Sequence, residues 1–258
     1  MTHTLQKIKI KNSMLHTIIS LSLNLGLISC QSSIQRVEVA PPTDTVKTVA
    51  GVNTLKLIGK LNRFEKEIEN FELSDINNGF STQGTIFVGS SSIRLWKNST
   101  SLVPNSPTLN RGFGGATIAE LNHYYPRMVQ KYRPNNIIFY CGENDLAHNL
   151  ASVDSVFSDF QKFALRVKMD NPNATFYYLS IKKSPSRMAF ASKFEEMNAR
   201  VKQWGLQDSN FVYIDFDTPL HNNVGLPDST LFRKDMLHLN DAGYQRWEKA
   251  LSPYLKRI

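Results

Sequence analysis

Residues 137–145 read Ile137-Ile-Phe-Tyr140-Cys141-Gly142-Glu143-Asn144-Asp145. Two β-branched residues followed by two aromatics make a strand with no polar face, which suits a sheet covered on both sides. The apolar run then stops at a glycine, and a carboxamide flanked by two carboxylates follows at once. Apolar strands that break off into polar residues are the pattern of a parallel sheet whose ligands gather beyond the carboxyl ends of its strands.

The same pattern repeats in both directions. Upstream, Thr85-Ile-Phe-Val88 runs into Gly89, and a second short strand is expected to end at Leu109-Asn110. Downstream, residues 175–181 and 211–216 predict a fourth and a fifth strand. Helical spacing fills the gaps. Leu61, Phe64, Ile68 and Phe71 form one stripe; Ile118, Leu121, Tyr125, Met128, Val129 and Tyr132 form another behind a Thr117-x-x-Glu120 capping box. Further stripes are Val153, Val156, Phe157, Phe160, Ala164 and Val167, then Phe190, Phe194, Met197, Val201 and Trp204. Tyr244, Trp247, Leu251 and Leu255 mark a last helix. Five strands alternating with helices predict an α/β fold with a five-stranded parallel sheet, its aromatic stripes in the core.

Composition narrows the function. The 258 residues are 41% hydrophobic and 20% charged, which excludes a mostly disordered chain. Two cysteines cannot build a disulfide framework or a four-cysteine zinc site. The formal charge is +8, but Lys7, Lys9 and Lys11 fall in the first 29 residues, which hold no carboxylate. The remaining surplus is spread without a dense basic run, so no nucleic acid partner is expected.

Those lysines precede an apolar run over residues 14–28, and Leu27-Ile28-Ser29-Cys30 closes it. A positive start, a short apolar centre and small residues before a cut are the parts of a secretory signal. The run is too short to span a bilayer as a helix. Its end resembles a bacterial lipobox, which implies lipidation of Cys30 and attachment to a membrane. The chain is therefore divided into a signal peptide (1–29), a lipidated cysteine with a polar tether carrying Pro41-Pro42 (30–54), and a folded domain (55–258). An exported lipoprotein on the periplasmic or cell-surface side is the expected location.

The segments that follow the strands carry the chemistry. They are Gly89-Ser90-Ser91-Ser92, Asn110-Arg-Gly112-Phe-Gly114-Gly115, Gly142-Glu-Asn144-Asp145, and, past an irregular stretch, Asp235-Met-Leu-His238. A serine hydroxyl attacks a carbonyl only when an imidazole accepts its proton, and the imidazole needs an acceptor on its other nitrogen. Asp235 and His238 are close enough in sequence to meet on one turn. The amides of Ser91 and Gly115 and the Asn144 side chain are natural donors to a developing oxyanion. Elsewhere, His123, His148 and His221 are expected on the surface or in loops, and Cys141 as an inert core thiol. Glu143 and Asp145 are expected to hydrogen-bond within a loop. Arg111, Lys182, Lys183 and Arg187 are expected as solvated charge on loops at the same edge, with contact to an acidic or polyhydroxyl substrate as the alternative.

These segments, over about residues 80–250, resemble the blocks of the SGNH/GDSL hydrolases, which supply a Ser, a Gly, an Asn and a His in this order. The resemblance implies a flavodoxin-like three-layer α/β/α sandwich that hydrolyses esters with no metal or other cofactor. It implies Ser91 as nucleophile, His238 as base with Asp235 as its partner, and an oxyanion hole from Ser91, Gly115 and Asn144. The first block departs from the family's Gly-Asp-Ser-Leu, which leaves Ser90 as a rival to Ser91. The expected substrate is an acylated carbohydrate or lipid. Short loops predict a wide, shallow site and so O-acetyl groups on carbohydrate, with the stretch 217–234 as the specificity loop. The alternatives are a lysophospholipase or platelet-activating-factor-acetylhydrolase-like lipid esterase, a glycan O-acyltransferase, and a non-catalytic glycan-binding lipoprotein.

Overall fold

Neighbouring residues of each strand face opposite ways, and in this chain both directions are apolar. The computed structural model describes residues 62–148 and 150–255. Residues 1–61, with the expected signal, Cys30 and the tether, lie outside the described residues. The strands are β1 (Thr85–Gly89), β2 (Thr108–Gly112), β3 (Asn136–Tyr140), β4 (Thr175–Leu179) and β5 (Phe211–Ile214). They form one parallel sheet in the order β2-β1-β3-β4-β5. β1 and β3 are buried along their whole length, whereas the edge strands β2 and β5 are partly open.

Strand alternation sorts the core into two layers. Ile86, Val88, Ile137, Phe139, Phe176 and Tyr178 face one side; Phe87, Ile138, Tyr140, Tyr177 and Leu179 face the other. The helices are α1 (Glu65–Asn78), α2 (Ser91–Arg94), α3 (Ile118–Met128), α4 (Glu143–Ala147), α5 (Val153–Asp170), α6 (Ala191–Gly205) and α7 (Asp241–Leu255). Residues of α1, α3, α5 and α6 pack on the first side, and those of α2 and α7 on the second. The arrangement is a flavodoxin-like three-layer α/β/α sandwich. The chain crosses over β1 between β2 and β3, and this switch point is where such sheets open a crevice.

The elements fall where the periodicities place them, with differences at their ends that have identifiable causes. The capping box forms: Glu120 Oε2 accepts from the Thr117 amide at 2.9 Å, and Thr117 Oγ1 accepts from the Glu120 amide at 3.4 Å. β2 runs to Gly112, past its expected end at Asn110. β4 stops two residues before its expected end. The Asn198 side chain of α6 takes both the Ile181 N–H and the Ile181 carbonyl, each at 2.8 Å, so neither remains for the ladder. β5 ends early for a related reason, because the Phe216 amide donates to Ser180 Oγ rather than to a strand carbonyl.

α1 is the largest departure from a simple apolar stripe. Only Ile68 and Asp75 of it are buried, and Phe64 belongs to a short 3-10 turn ahead of it. Ion pairs do much of the fastening: Arg127 bridges Glu65 and Glu72, while Asp75 receives Arg111 from β2 and Lys131. The Tyr132 hydroxyl also donates to Asp75. Among the described residues, no helix is long and apolar enough to cross a membrane.

Candidate active site

β1 ends in Gly89, and a side chain there would collide with the Tyr140 carbonyl of β3. The Ser90 amide instead donates to that carbonyl at 3.1 Å, tying the turn to the neighbouring strand. Ser91 is therefore the first residue of α2, where its amide has no acceptor inside the helix. Ser90 is buried and Ser91 partly open.

His238 arrives from the far end of the chain. Its loop is closed by a bridge between Phe232 and Leu239, and by the Arg233 amide donating to the His238 carbonyl at 2.7 Å. Asp235 Oδ1 accepts from the amides of Leu237 and His238, each at 2.9 Å. Asp235 Oδ2 lies 2.7 Å from His238 Nδ1, and His238 Nε2 lies 2.9 Å from Ser91 Oγ. The three side chains thus form one hydrogen-bonded series. Partial burial works against ionisation of Asp235, but the His238 ring and the two amides outweigh it and hold the carboxyl down to about 2. With its partner a carboxylate, the ring carries its proton on Nδ1 and presents Nε2 as an acceptor to the serine.

Sequence reading missed what shapes this loop. Met236 has φ +53°, a left-handed conformation that costs a non-glycine residue about 1–2 kcal/mol. The Met236 carbonyl accepts from the Ser186 amide at 3.0 Å, which ties the strained turn to the segment after β4. A methionine gives no sequence signal for such a turn.

The expected donors Gly115 and Asn144 line the same cleft as Ser91. Gly115 has φ +76° with open space where a side chain would stand, so its glycine answers to backbone conformation and not to crowding. Its carbonyl accepts from Arg63 Nη2 at 2.9 Å, and Arg63 is also paired with Glu120. Asn144 Nδ2 donates to the Ala116 carbonyl at 3.0 Å, while Asn144 Oδ1 accepts from Arg187 Nη2 at 3.0 Å. Among the described residues, the second N–H of the carboxamide has no acceptor. Ser91, Gly115, Asn144 and His238 all line one cleft of about 470 Å³. Its other walls are Arg63, Glu67, Arg94, Gly114, His148, Arg187 and Leu237.

Several expectations need correction. Arg111, Lys182, Lys183 and Arg187 are not free solvated charge. Arg111 lies in β2 and is buried against Asp75, and Lys182 is buried against Glu143. Lys183 pairs with Glu195 and Asp217, and Arg187 with Glu143. Each carboxylate comes from a different part of the chain, which local spacing does not reveal. Glu143 and Asp145 sit in helix α4, not in a loop. The stretch 217–234 contributes no residue to the cleft lining; 3-10 turns and a His221–Pro227 bridge occupy it. His221 is largely buried beside Asp217, whereas His123 and His148 are exposed as expected. Cys141 is buried and donates to the Ala116 carbonyl, and burial pushes its thiol well above the ordinary range, as suits an inert core residue.

A hydroxyl, an imidazole and a carboxylate in series, beside Gly115 and the Asn144 carboxamide at a sheet switch point, define the serine-hydrolase type of site on a three-layer α/β/α fold. Residues 88–246 match the model of the GDSL-like lipase/acylhydrolase family, and the chain belongs to that family. It is accordingly a hydrolase acting on ester bonds. No curated protein matches the chain in sequence. Solved structures share the fold at low identity. A Streptococcus pneumonia protein, whose description refers to platelet activating factor, aligns with TM-score 0.66 and 19% identity over 80% of this chain and 99% of its own. A GDSL-like lipase from Bacteroides thetaiotaomicron gives TM-score 0.63 and 16% identity over 74% and 97% of the two chains. An acetylxylan esterase from Geobacillus stearothermophilus, solved as a catalytic mutant, gives 0.55 and 13% over 68% and 95%.

Proposed function

We propose that the chain is a serine esterase that removes short acyl groups, O-acetyl above all, from carbohydrate. Ser91 Oγ attacks the acyl carbon while His238 Nε2 takes its proton. The charge that gathers on the carbonyl oxygen is met by the amides of Ser91 and Gly115 and by the free N–H of Asn144. Nε2 returns the proton to the departing alcohol as the ester C–O bond breaks. Water, deprotonated by the same ring, then adds to the acyl-serine; collapse releases the carboxylic acid and restores the Ser91 hydroxyl. Asp235 keeps the ring oriented and stabilises its transient positive charge.

The observation that carries this reading is the 2.9 Å contact between His238 Nε2 and Ser91 Oγ, made inside a cleft bordered by the uncommitted donors. The choice of a short acyl group on a polar carrier rests on the cleft walls. Leu237 is their one large aliphatic side chain, and Arg63, Arg94 and Arg187 are among the others. A long hydrocarbon chain would meet a single large aliphatic side chain there and no continuous apolar channel of such side chains.

The test is a comparison of kcat/KM for acetylated oligosaccharides, long-chain esters and a lysophospholipid. Preference for the acetylated sugars is expected. Preference for the lysolipid overturns the substrate assignment, and failure to hydrolyse any of them overturns the catalytic one. We further propose that Cys30 carries the membrane anchor of an exported lipoprotein. Cys30→Ser should move the protein from the membrane to the soluble fraction with its turnover unchanged; unaltered fractionation rejects the anchor.

A further inference from the structure

Beneath Asn144 lies a cluster of charge that ester hydrolysis by Ser91 and His238 does not itself call for. Glu143 and Lys182 pair at 2.9 Å with their side chains only 4% and 1% exposed. Lys182 Nζ also reaches the second Glu143 oxygen at 3.1 Å, and the Tyr140 hydroxyl donates to Glu143 at 2.8 Å. Arg187 Nη1 approaches the same carboxylate at 3.3 Å. Burial opposes ionisation of Glu143, but Lys182, Arg187 and the hydrogen bonds from Lys182 and Tyr140 hold its carboxyl below the ordinary range.

Two cations therefore share one carboxylate, and the cluster keeps one positive charge in excess. A single buried pair already carries a heavy desolvation cost, and a second cation adds to it without a second counter-ion. Arg187 is the member that leaves the cluster for the cleft. Its Nη2 donates to Asn144 Oδ1 at 3.0 Å, and it lines the cleft beside Ser91 and His238.

This contact has two consequences. A guanidinium only donates and a carbonyl only accepts, so Arg187 on one end and the Ala116 carbonyl on the other permit a single orientation of the Asn144 amide. A cation bonded to the amide oxygen also draws electron density from the amide nitrogen, which strengthens its remaining N–H as a donor. We infer that Arg187 is a positioning residue that fixes and polarises the Asn144 carboxamide, held for that task by the buried Glu143–Lys182 pair.

The inference rests on Asn144 donating to the oxyanion, and the experiment separates the two ideas. Arg187→Met, Asn144→Ala and the double variant are compared in the full chain on p-nitrophenyl acetate, a substrate with no charge for Arg187 to bind. Arg187→Met leaves Glu143 and Lys182 as a one-to-one pair. It should lower kcat about 10–50-fold with KM within about twofold, since an oxyanion donor is weakened but not removed. Added to Asn144→Ala, it should cost less than about threefold more, because its effect runs through that side chain. Arg187→Gln, which keeps a neutral donor, should fall between wild type and Arg187→Met, and it carries the test if the methionine variant does not fold. A rise in KM with kcat unchanged, a full additional loss in the Asn144→Ala background, or wild-type kcat in the Gln variant each overturns the inference. An Asn144→Ala enzyme with wild-type kcat would instead remove the underlying oxyanion reading.

Discussion

Ser91 Oγ and His238 Nε2 stand 2.9 Å apart although 147 positions of sequence separate them. Neither residue is placed by its neighbours alone. Ser91 is carried by the turn that leaves β1 toward β3, and His238 by a loop closed between Phe232 and Leu239. The Tyr244 hydroxyl of α7 donates to the Ser92 carbonyl at 2.9 Å, joining α7, which follows the His238 loop, to the residue next to Ser91.

Ser91→Ala should lower turnover of p-nitrophenyl acetate by at least about 10³-fold, as loss of a nucleophile does in a serine hydrolase. Ser90 is the internal control. Its side chain is buried, so Ser90→Ala should leave turnover within a few-fold of wild type. If the two variants exchange these outcomes, the nucleophile is Ser90.

Asp235→Asn should reduce kcat by about 10²–10⁴-fold, because a carboxamide no longer selects the ring tautomer that faces Ser91. The pH behaviour follows from the carboxyl being held down to about 2 in the folded chain. Its folded value lies below the unfolded one of about 3.9, so its contribution to stability is present above that pH. It is lost as pH falls from about 4 toward 2. The wild-type rate profile above pH 4 should therefore hold no step from Asp235, and an Asp235 carboxyl seen by NMR to titrate above pH 4 in the folded chain would contradict this.

Asn144→Ala should lower kcat by about 10²–10³-fold while KM changes little, since the free N–H is used when charge develops on the carbonyl oxygen. Steady-state kinetics on p-nitrophenyl acetate provide the check. A loss confined to KM would make Asn144 a substrate-binding group.

Much of the fold was legible because both faces of each central strand are apolar. Ile137-Ile-Phe-Tyr140 needs no long-range information to be read as a buried strand. The candidate site was legible for a different reason: its parts follow strand ends, and a parallel sheet collects strand ends on one edge. Ion pairs were not legible. Arg111 and Asp75 are 36 residues apart, and Lys182 and Glu143 are 39 apart, so nothing local marks either cation as buried. Still longer separations, 43 and 52 residues, hid Arg187 behind Asn144 and Arg63 behind Gly115. The strand ends of β4 and β5 escaped because side chains of Asn198 and Ser180 replace ladder partners. The stretch 217–234 was read as specificity-bearing because it is irregular, yet its turns are satisfied internally, as when Asp228 Oδ1 accepts from the Thr230 amide at 3.0 Å.

Asp145, next to Asn144, gives a stability prediction of opposite sign to that of Asp235. Its Oδ1 accepts from the Ile118 amide at 3.0 Å, while Oδ2 is buried with no hydrogen-bond partner among the described residues. Burial raises the carboxyl to about 7 against the opposing pull of the backbone donors. The folded chain therefore binds one more proton than the unfolded chain between about pH 4 and 7, and stability declines as pH rises through that window. Above it the penalty is constant, on the order of a few kcal/mol at most. Asp145→Asn keeps a carbonyl oxygen for the Ile118 amide and removes the ionisation. The variant should unfold at nearly the wild-type temperature at pH 4.5 and at a higher one at pH 8. Thermal unfolding at both pH values decides it, and an equal difference at the two would show that Asp145 carries the same charge throughout.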